Sequence, residues 1–178
     1  MKLESPRLTF HRPTEADRDF WRHYLADPER ARFLVLGRPF TRSEADAYVE
    51  RRLAHFERRG FGTFLLTLGS AGERVGYAGL EYVRDTEVVD IRYGLLQAHW
   101  GRGLALEAAR RIVRAGFEDW GLGEIYGAVV PENRASAAIL RKLGMEPTDE
   151  IDVHGAAVDY YVMRRPVGSN ASTAKDSP

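Results

Sequence analysis

The stretch richest in possible chemistry is Gln97-Ala98-His99-Trp100-Gly101-Arg102-Gly103-Leu104-Ala105-Leu106-Glu107. Gly101, Gly103 and Ala105 alternate with larger residues, so the backbone here can approach a ligand without interference from side chains. A helical pattern opens at about Leu104. The free amides and the dipole of a helix start both favour an anion. A phosphate cradle is one reading. A tight strand-to-helix turn, with glycines present for φ alone, is the other, and the glycines fit both. Two nucleotide motifs are excluded. A P-loop needs Lys-Ser/Thr after its last glycine, where Leu104-Ala105 stands. The dinucleotide fingerprint needs a third small residue, where Leu106 stands, and a preceding parallel strand.

Other chemistry is thinner. There is no cysteine among the 178 residues. That removes disulfides, thiolate zinc sites, iron–sulfur clusters and a cysteine nucleophile. The five histidines, His11, His23, His55, His99 and His154, show no metal-ligand spacing. No metal is expected. The histidines read as surface residues, with His99 set apart by its place beside the glycines. Asn133 and Ser136 fit the N-cap and third position of a helix, an arrangement worth ~1 kcal/mol.

The elements that hold these residues follow from patterning. Arg7–Arg12 alternates Leu8 and Phe10 with polar residues, a half-buried strand. Thr14 caps a helix carrying Phe20, Trp21, Tyr24 and Leu25, which Asp27-Pro28 ends or bends. Thr41-Arg42-Ser43-Glu44 is a capping box for a second helix, closed by Arg58, Arg59 and Gly60. Three strands follow, Phe61–Leu68, Arg74–Val83 and Glu87–Leu96, with short connections that predict an antiparallel meander. A helix from about Leu104 to Trp120, a buried strand Glu124–Val130, a short helix Asn133–Leu143 and a strand Val158–Arg164 complete the order. The fold class is α/β (α+β): a mixed, mostly antiparallel sheet with helices on both faces. Residues 1–166 form one domain, and the small polar residues 167–178 a frayed tail.

Composition narrows the class further. Lys+Arg and Asp+Glu both number 26, so the formal net charge is zero. The basic surplus of a nucleic-acid binder is missing. No apolar run reaches the ~18 residues of a membrane span, and the first residues lack the apolar core of a signal peptide. The cytosol is the default compartment, and no membrane partner is expected. Exposed meander edges make a homodimer plausible.

Trp100-Gly101-Arg102-Gly103-Leu104-Ala105 resembles the pyrophosphate loop of the GNAT superfamily of acyl-CoA N-acyltransferases. The pattern there is Gln/Arg-x-x-Gly-x-Gly/Ala. Gly103 and Ala105 match it, and Trp100 stands in the Gln/Arg place. With Glu107-Ala108 added, the segment is similar to the ribosomal-protein-alanine acetyltransferase branch. So are Pro131-Glu132-Asn133-Arg134-Ala135-Ser136, Leu140-Arg141-Lys142-Leu143-Gly144-Met145 and the opening Ser5-Pro6-Arg7-Leu8-Thr9-Phe10-His11-Arg12. The resemblance covers residues 5–165. It implies a V-shaped gap between the strands Glu87–Leu96 and Glu124–Val130.

The resemblance also implies roles. Acetyl-CoA is the co-substrate and a primary amine, on a peptide or a small molecule, the acceptor. Trp100, Gly101, Arg102, Gly103, Leu104 and Ala105 hold the pyrophosphate. The backbone near Leu95 and Leu96 pairs with the pantetheine arm like an added strand. One of their amides polarises the thioester carbonyl, freed by a bulge or splay that Gly94 suggests. Asn133 and Ser136 face the arm as well as capping a helix. The usual tyrosine acid is replaced by Leu140, which leaves Ser136 as the candidate donor to the departing thiolate. Asp90 and Glu81 on the meander are the candidate bases, with a surface ion pair to Arg92 the alternative for Asp90. Glu107 fits a loop-bracing role. Asp27, Glu29 and the segment Phe33–Phe40 are expected near the acceptor. Without the tyrosine, a non-catalytic acyl-CoA sensor is the competing reading.

Overall fold

The computed structural model describes residues 3–34, 36–69, 72–155 and 158–166. The expected tail at 167–178 lies outside the described residues. Eight strands form one sheet: β1 (Leu3–Glu4), β2 (Leu8–His11), β3 (Thr63–Leu68), β4 (Glu73–Tyr82), β5 (Val89–Leu95), β6 (Glu124–Val129), β7 (Glu146–Thr148) and β8 (Asp159–Arg164). Their spatial order is β1-β2-β3-β4-β5-β6-β8-β7. Every neighbouring pair is antiparallel except β5 and β6. A parallel pair needs a crossover, usually a helix, and α4 (Leu104–Glu118) supplies it. The remaining helices are α1 (Arg18–Ala26), α2 (Pro28–Ala31), α3 (Arg42–Arg59) and α5 (Arg134–Leu143).

Helices cover both faces, because side chains alternate along each strand. Leu80, Ile91 and Leu95 turn to one face and join Leu104, Ala108 and Ile112 of α4 and Leu140 of α5. Leu65 and Tyr77 turn to the other, against Trp21, Tyr24 and Leu25 of α1 and Ala45, Tyr48 and Val49 of α3. Leu80, Ile112 and Trp21 are fully buried, each large aliphatic contributing ~1.5–3 kcal/mol. The capping box forms as the sequence predicts: Thr41 Oγ1 accepts from the Glu44 amide, and Glu44 accepts from the Thr41 amide at 2.8 Å. Gly60 ends α3 at φ 73°.

Four expectations change. Leu3–Glu4 and Pro28–Ala31 form short elements too brief for any periodicity. Glu146–Thr148 is a strand despite Pro147, which an edge position tolerates because no ladder donor is needed there. The meander strands β3 to β5 are all interior, so the open sheet edges are β1 and β7 instead. No bulge sits at Gly94: the β4–β5 register runs unbroken from Gly76↔Leu95 to Tyr82↔Val89. Gly94 is there for space, since a Cβ would lie 2.2 Å from the Tyr24 hydroxyl oxygen and 2.9 Å from the Tyr77 ring.

Gly94→Ala should therefore cost ~1–3 kcal/mol of stability through overpacking, measured by urea unfolding. In a Tyr24→Phe background the loss should shrink, because the nearest clashing atom is gone.

Candidate active site

β5 and β6 are joined at a single pair, Asp90↔Tyr126. Beyond it the two parallel strands diverge, and the strand-to-helix connections that follow both open on the same side. Ligands of parallel sheets bind outside the carboxyl ends of strands where the chain order switches. The start of α4 lies at one wall of this crevice and the start of α5 at the other.

The α4 wall is the glycine loop. Gly101 and Gly103 both take positive φ, 70° and 72°, which side chains rarely adopt. Gly103 is the N-cap of α4 and offers no side chain to the helix start. The amides of residues 101–106 have no backbone acceptor among the described residues. Gly101, Arg102 and Gly103 are exposed, and nothing lies within 4 Å of a Cβ built on Gly101. This is an open row of donors at a positive helix end, suited to a diphosphate. Leu104 instead is buried in the core and serves by its backbone.

The loop is braced from the first strands. Glu107 accepts from Ser5 Oγ at 2.7 Å, from the Arg7 amide at 2.8 Å and from Arg7 Nε at 2.6 Å. Arg7 Nη1 also donates to the Arg102 carbonyl at 2.9 Å. Burial pushes the Glu107 carboxyl up, but these donors outweigh it and hold the group below the usual range. Arg7 thus adds a guanidinium beside Gly103, a role that sequence reasoning missed. His99 is buried, not a surface residue. Its Nε2 is 3.3 Å from Glu73 and its Nδ1 3.2 Å from Arg102. Trp100 is 43% exposed, and its indole donates to the Leu95 carbonyl at 2.9 Å.

Antiparallel pairing decides which amides face the gap. Leu96 donates to the Val75 carbonyl at 2.8 Å, so its amide is committed. Ladder groups alternate in direction along a strand. Leu95 and Tyr93 therefore turn their amides away from β4, toward the splay.

At the α5 wall, Asn133 is the N-cap, its Oδ1 accepting from the Ser136 amide at 3.1 Å. Ser136 Oγ lies 2.8 Å from Tyr93 Oη, which also donates to the Ser136 carbonyl at 3.2 Å. Burial raises the phenol's pKa against the opposing effect of Ser136. Leu140 is 1% exposed and fills the core beside Gly127. A tyrosine is thus present after all, brought from the strand. The face alternation that puts Tyr93 with Leu95 could have found it.

The candidate bases lie on the opposite face. Glu81 and Asp90 are cross-strand partners, both buried. Glu81 lies 3.5 Å from Arg52 and 3.6 Å from Arg92. Burial pushes its carboxyl up, and the two guanidiniums bring it below normal. A carboxylate so held is a weak base. Asp90 is 3.7 Å from Arg92 and 3.4 Å from His154 Nε2, and its Oδ1 has no hydrogen-bond partner. Asp90 is thus no surface carboxylate. Asp27 caps α2 through the amides of Glu29 and Arg30, and Glu29 pairs with Arg32. His55 is buried too, its Nδ1 on the Phe61 carbonyl and its Nε2 accepting from the Tyr82 amide.

The family model described as an acetyltransferase (GNAT) domain matches residues 7–146. The chain belongs to the GNAT acetyltransferase family. Members of this family carry acetyl groups from acetyl-CoA to amine nitrogens. The chain is 34% identical over 154 residues to the FsC-acetyl coenzyme A-N(2)-transacetylase of Aspergillus fumigatus, a match covering 80% of this chain and 64% of that protein, so it spans under two thirds of that relative's length. It is 26% identical to the uncharacterized N-acetyltransferase p20 of Bacillus licheniformis, over 90% of this chain and 93% of the other. Among solved GNAT-like structures, the acetyltransferase from Agrobacterium tumefaciens superposes with a TM-score of 0.85 at 25% identity, over 93% and 95% of the two chains. Among the described residues no helix is long and apolar enough to cross a membrane.

Glu107→Gln tests the loop brace. Its depressed folded-state pKa means the ionised carboxylate contributes stability above its unfolded value of ~4.3. That contribution, on the order of 1–3 kcal/mol for charged hydrogen bonds, is lost as pH falls through the folded value. Urea midpoints of wild type and variant should differ at pH 7 and converge in acid.

Proposed function

We propose that this protein transfers acetyl from acetyl-CoA to a primary amine, on a protein N-terminus or a small molecule, by direct attack in a ternary complex. The observation that carries this reading is one crevice lined by donors for the diphosphate, the pantetheine arm and the leaving thiolate. It has free loop amides at one wall, gap-facing strand amides in the middle, and the Tyr93–Ser136 pair at the other wall.

The amides of residues 101–105 and the α4 dipole bind the diphosphate, with Arg102 and Arg7 adding charge at the rim. The splayed edge of β5 accepts the pantetheine arm as a strand would. The Leu95 amide donates to the thioester carbonyl, whose oxygen gains charge as the amine attacks. The acceptor arrives as an ammonium, pKa ~10.4 for a lysine-like amine, and must lose a proton before it has a lone pair. Asp90 is the carboxylate placed to receive it, directly or through water. Glu81 instead holds Arg52 and Arg92 in place.

The departing thiolate, of intrinsic pKa ~8.5, takes a proton from the Ser136 side. A serine hydroxyl alone is a weak acid. Here Tyr93 can turn its hydrogen from the Ser136 carbonyl to Oγ, which frees the serine hydrogen for sulfur. A non-catalytic acyl-CoA sensor would need neither this pair nor a buried carboxylate opposite it, and their presence favours the enzyme.

Thiol release from acetyl-CoA, followed across a panel of primary amines, tests the reading. Turnover with at least one amine is expected, and coenzyme A binding without turnover for any would favour the sensor. Gly103→Glu should weaken coenzyme A binding more than about 100-fold by calorimetry. It adds ~1–2 kcal/mol of left-handed strain to repulsion of the diphosphate, and 1.4 kcal/mol is tenfold. Ser136→Ala should lower kcat on the order of 100-fold with little change in coenzyme A affinity, and Tyr93→Phe should lower it less.

A further inference from the structure

His154 precedes β8, in a segment that crosses back over the closed end of the gap. Two bonds hold it there: the Tyr160 hydroxyl accepts from the Val153 amide at 3.1 Å and from the His154 amide at 3.0 Å. The imidazole lies parallel to the Tyr160 ring, at an interplanar angle of 8°. Its side chain is 10% exposed, and Nε2 points to Asp90 Oδ2 at 3.4 Å. Nδ1 has no partner among the described residues. The surrounding recess is lined by Val83, Val88, Ala128, Ile151 and Val153. Asp90 and Tyr126, where the strands begin to part, line it too.

The contrast with His55 is informative. That imidazole is buried with both nitrogens engaged by backbone groups, which is what a structural histidine requires. His154 has one nitrogen on a carboxylate and the other free. The Asp90 contact orients the ring and leaves Nδ1 on its other edge. Arg92 lies 3.7 Å from the same carboxylate oxygen of Asp90.

We infer that His154 Nδ1 is the base that deprotonates the acceptor ammonium, with Asp90 its positioning residue. The inference rests on the acetyl-transfer reading and refines the part of Asp90 in it. The amine nitrogen sheds two protons. The first passes to Nδ1 and then to solvent, which leaves the lone pair that forms the C–N bond. The second leaves the nitrogen after attack and, as the C–S bond breaks, is balanced by the one that Ser136 gives to sulfur. The products are an N-acetyl amide, coenzyme A as thiol and one released proton. The charged and titratable groups around the imidazole are Asp90 and Arg92 of β5, Glu81 of β4, Tyr126 of β6, Tyr160 of β8 and Asp152 of its own segment.

The test uses the whole chain, acetyl-CoA and an amine that the wild type acetylates. His154→Ala should lower kcat on the order of 100-fold, leave coenzyme A affinity by calorimetry unchanged, and regain activity when imidazole is added. The acid limb of the wild-type kcat/KM profile should vanish in this variant and shift in Asp90→Asn. Wild-type kcat in His154→Ala would overturn the inference alone, and so would a loss that imidazole does not restore. Absence of thiol release by the wild type with every amine would overturn it together with the acetyl-transfer reading.

Discussion

The structure turns on the separation of two parallel strands. β5 and β6 meet only at Asp90↔Tyr126, and each then runs on with one backbone edge unpaired. An unpaired strand edge buried inside a sheet is costly unless something else completes it. On the acetyl-transfer reading, the amide-bearing pantetheine arm is what would complete it. The crossover through α4 makes the divergence possible, and it also delivers two helix starts to the same crevice. One offers bare amides behind left-handed glycines. The other offers a capped turn with a hydroxyl.

The sheet divides the chemistry by face. The α4–α5 side carries the uncharged hydroxyl pair of Tyr93 and Ser136. The α1–α3 side carries Glu81, Asp90, Arg52 and Arg92, charges that balance one another under cover of α3. Buried pairs of this kind contribute little net stability once desolvation is counted. Their effect is to hold both carboxylates ionised at fixed positions beside the two arginines. Glu81 serves two guanidiniums and Asp90 one guanidinium and an imidazole, and each keeps one buried oxygen without a hydrogen-bond partner.

Much of this was legible in the residues because it is local. The Thr41–Glu44 box, the Gly60 and Gly144 stops and the Gly101–Ala105 loop are written within a few positions of one another, and each formed as expected. What stayed hidden depends on distant partners. Tyr93 and Ser136 are 43 residues apart, and a strand tyrosine looks like core until the facing helix is known. His55 and His99 look like surface polar residues, yet one bridges backbone groups and the other sits under the loop. Gly94 suggested a bulge or a splay, and only the splay is there; the ring that needs the space at Gly94 comes from α1. β7 was masked by Pro147, whose meaning changes at a sheet edge.

The indole of Trp100 occupies the carbonyl of Leu95, the last residue of β5. A pantetheine amide that seeks this oxygen must evict the indole first. Docking of the arm there would be a swap of one donor for another on the same oxygen, so the strand end is already satisfied before any ligand arrives.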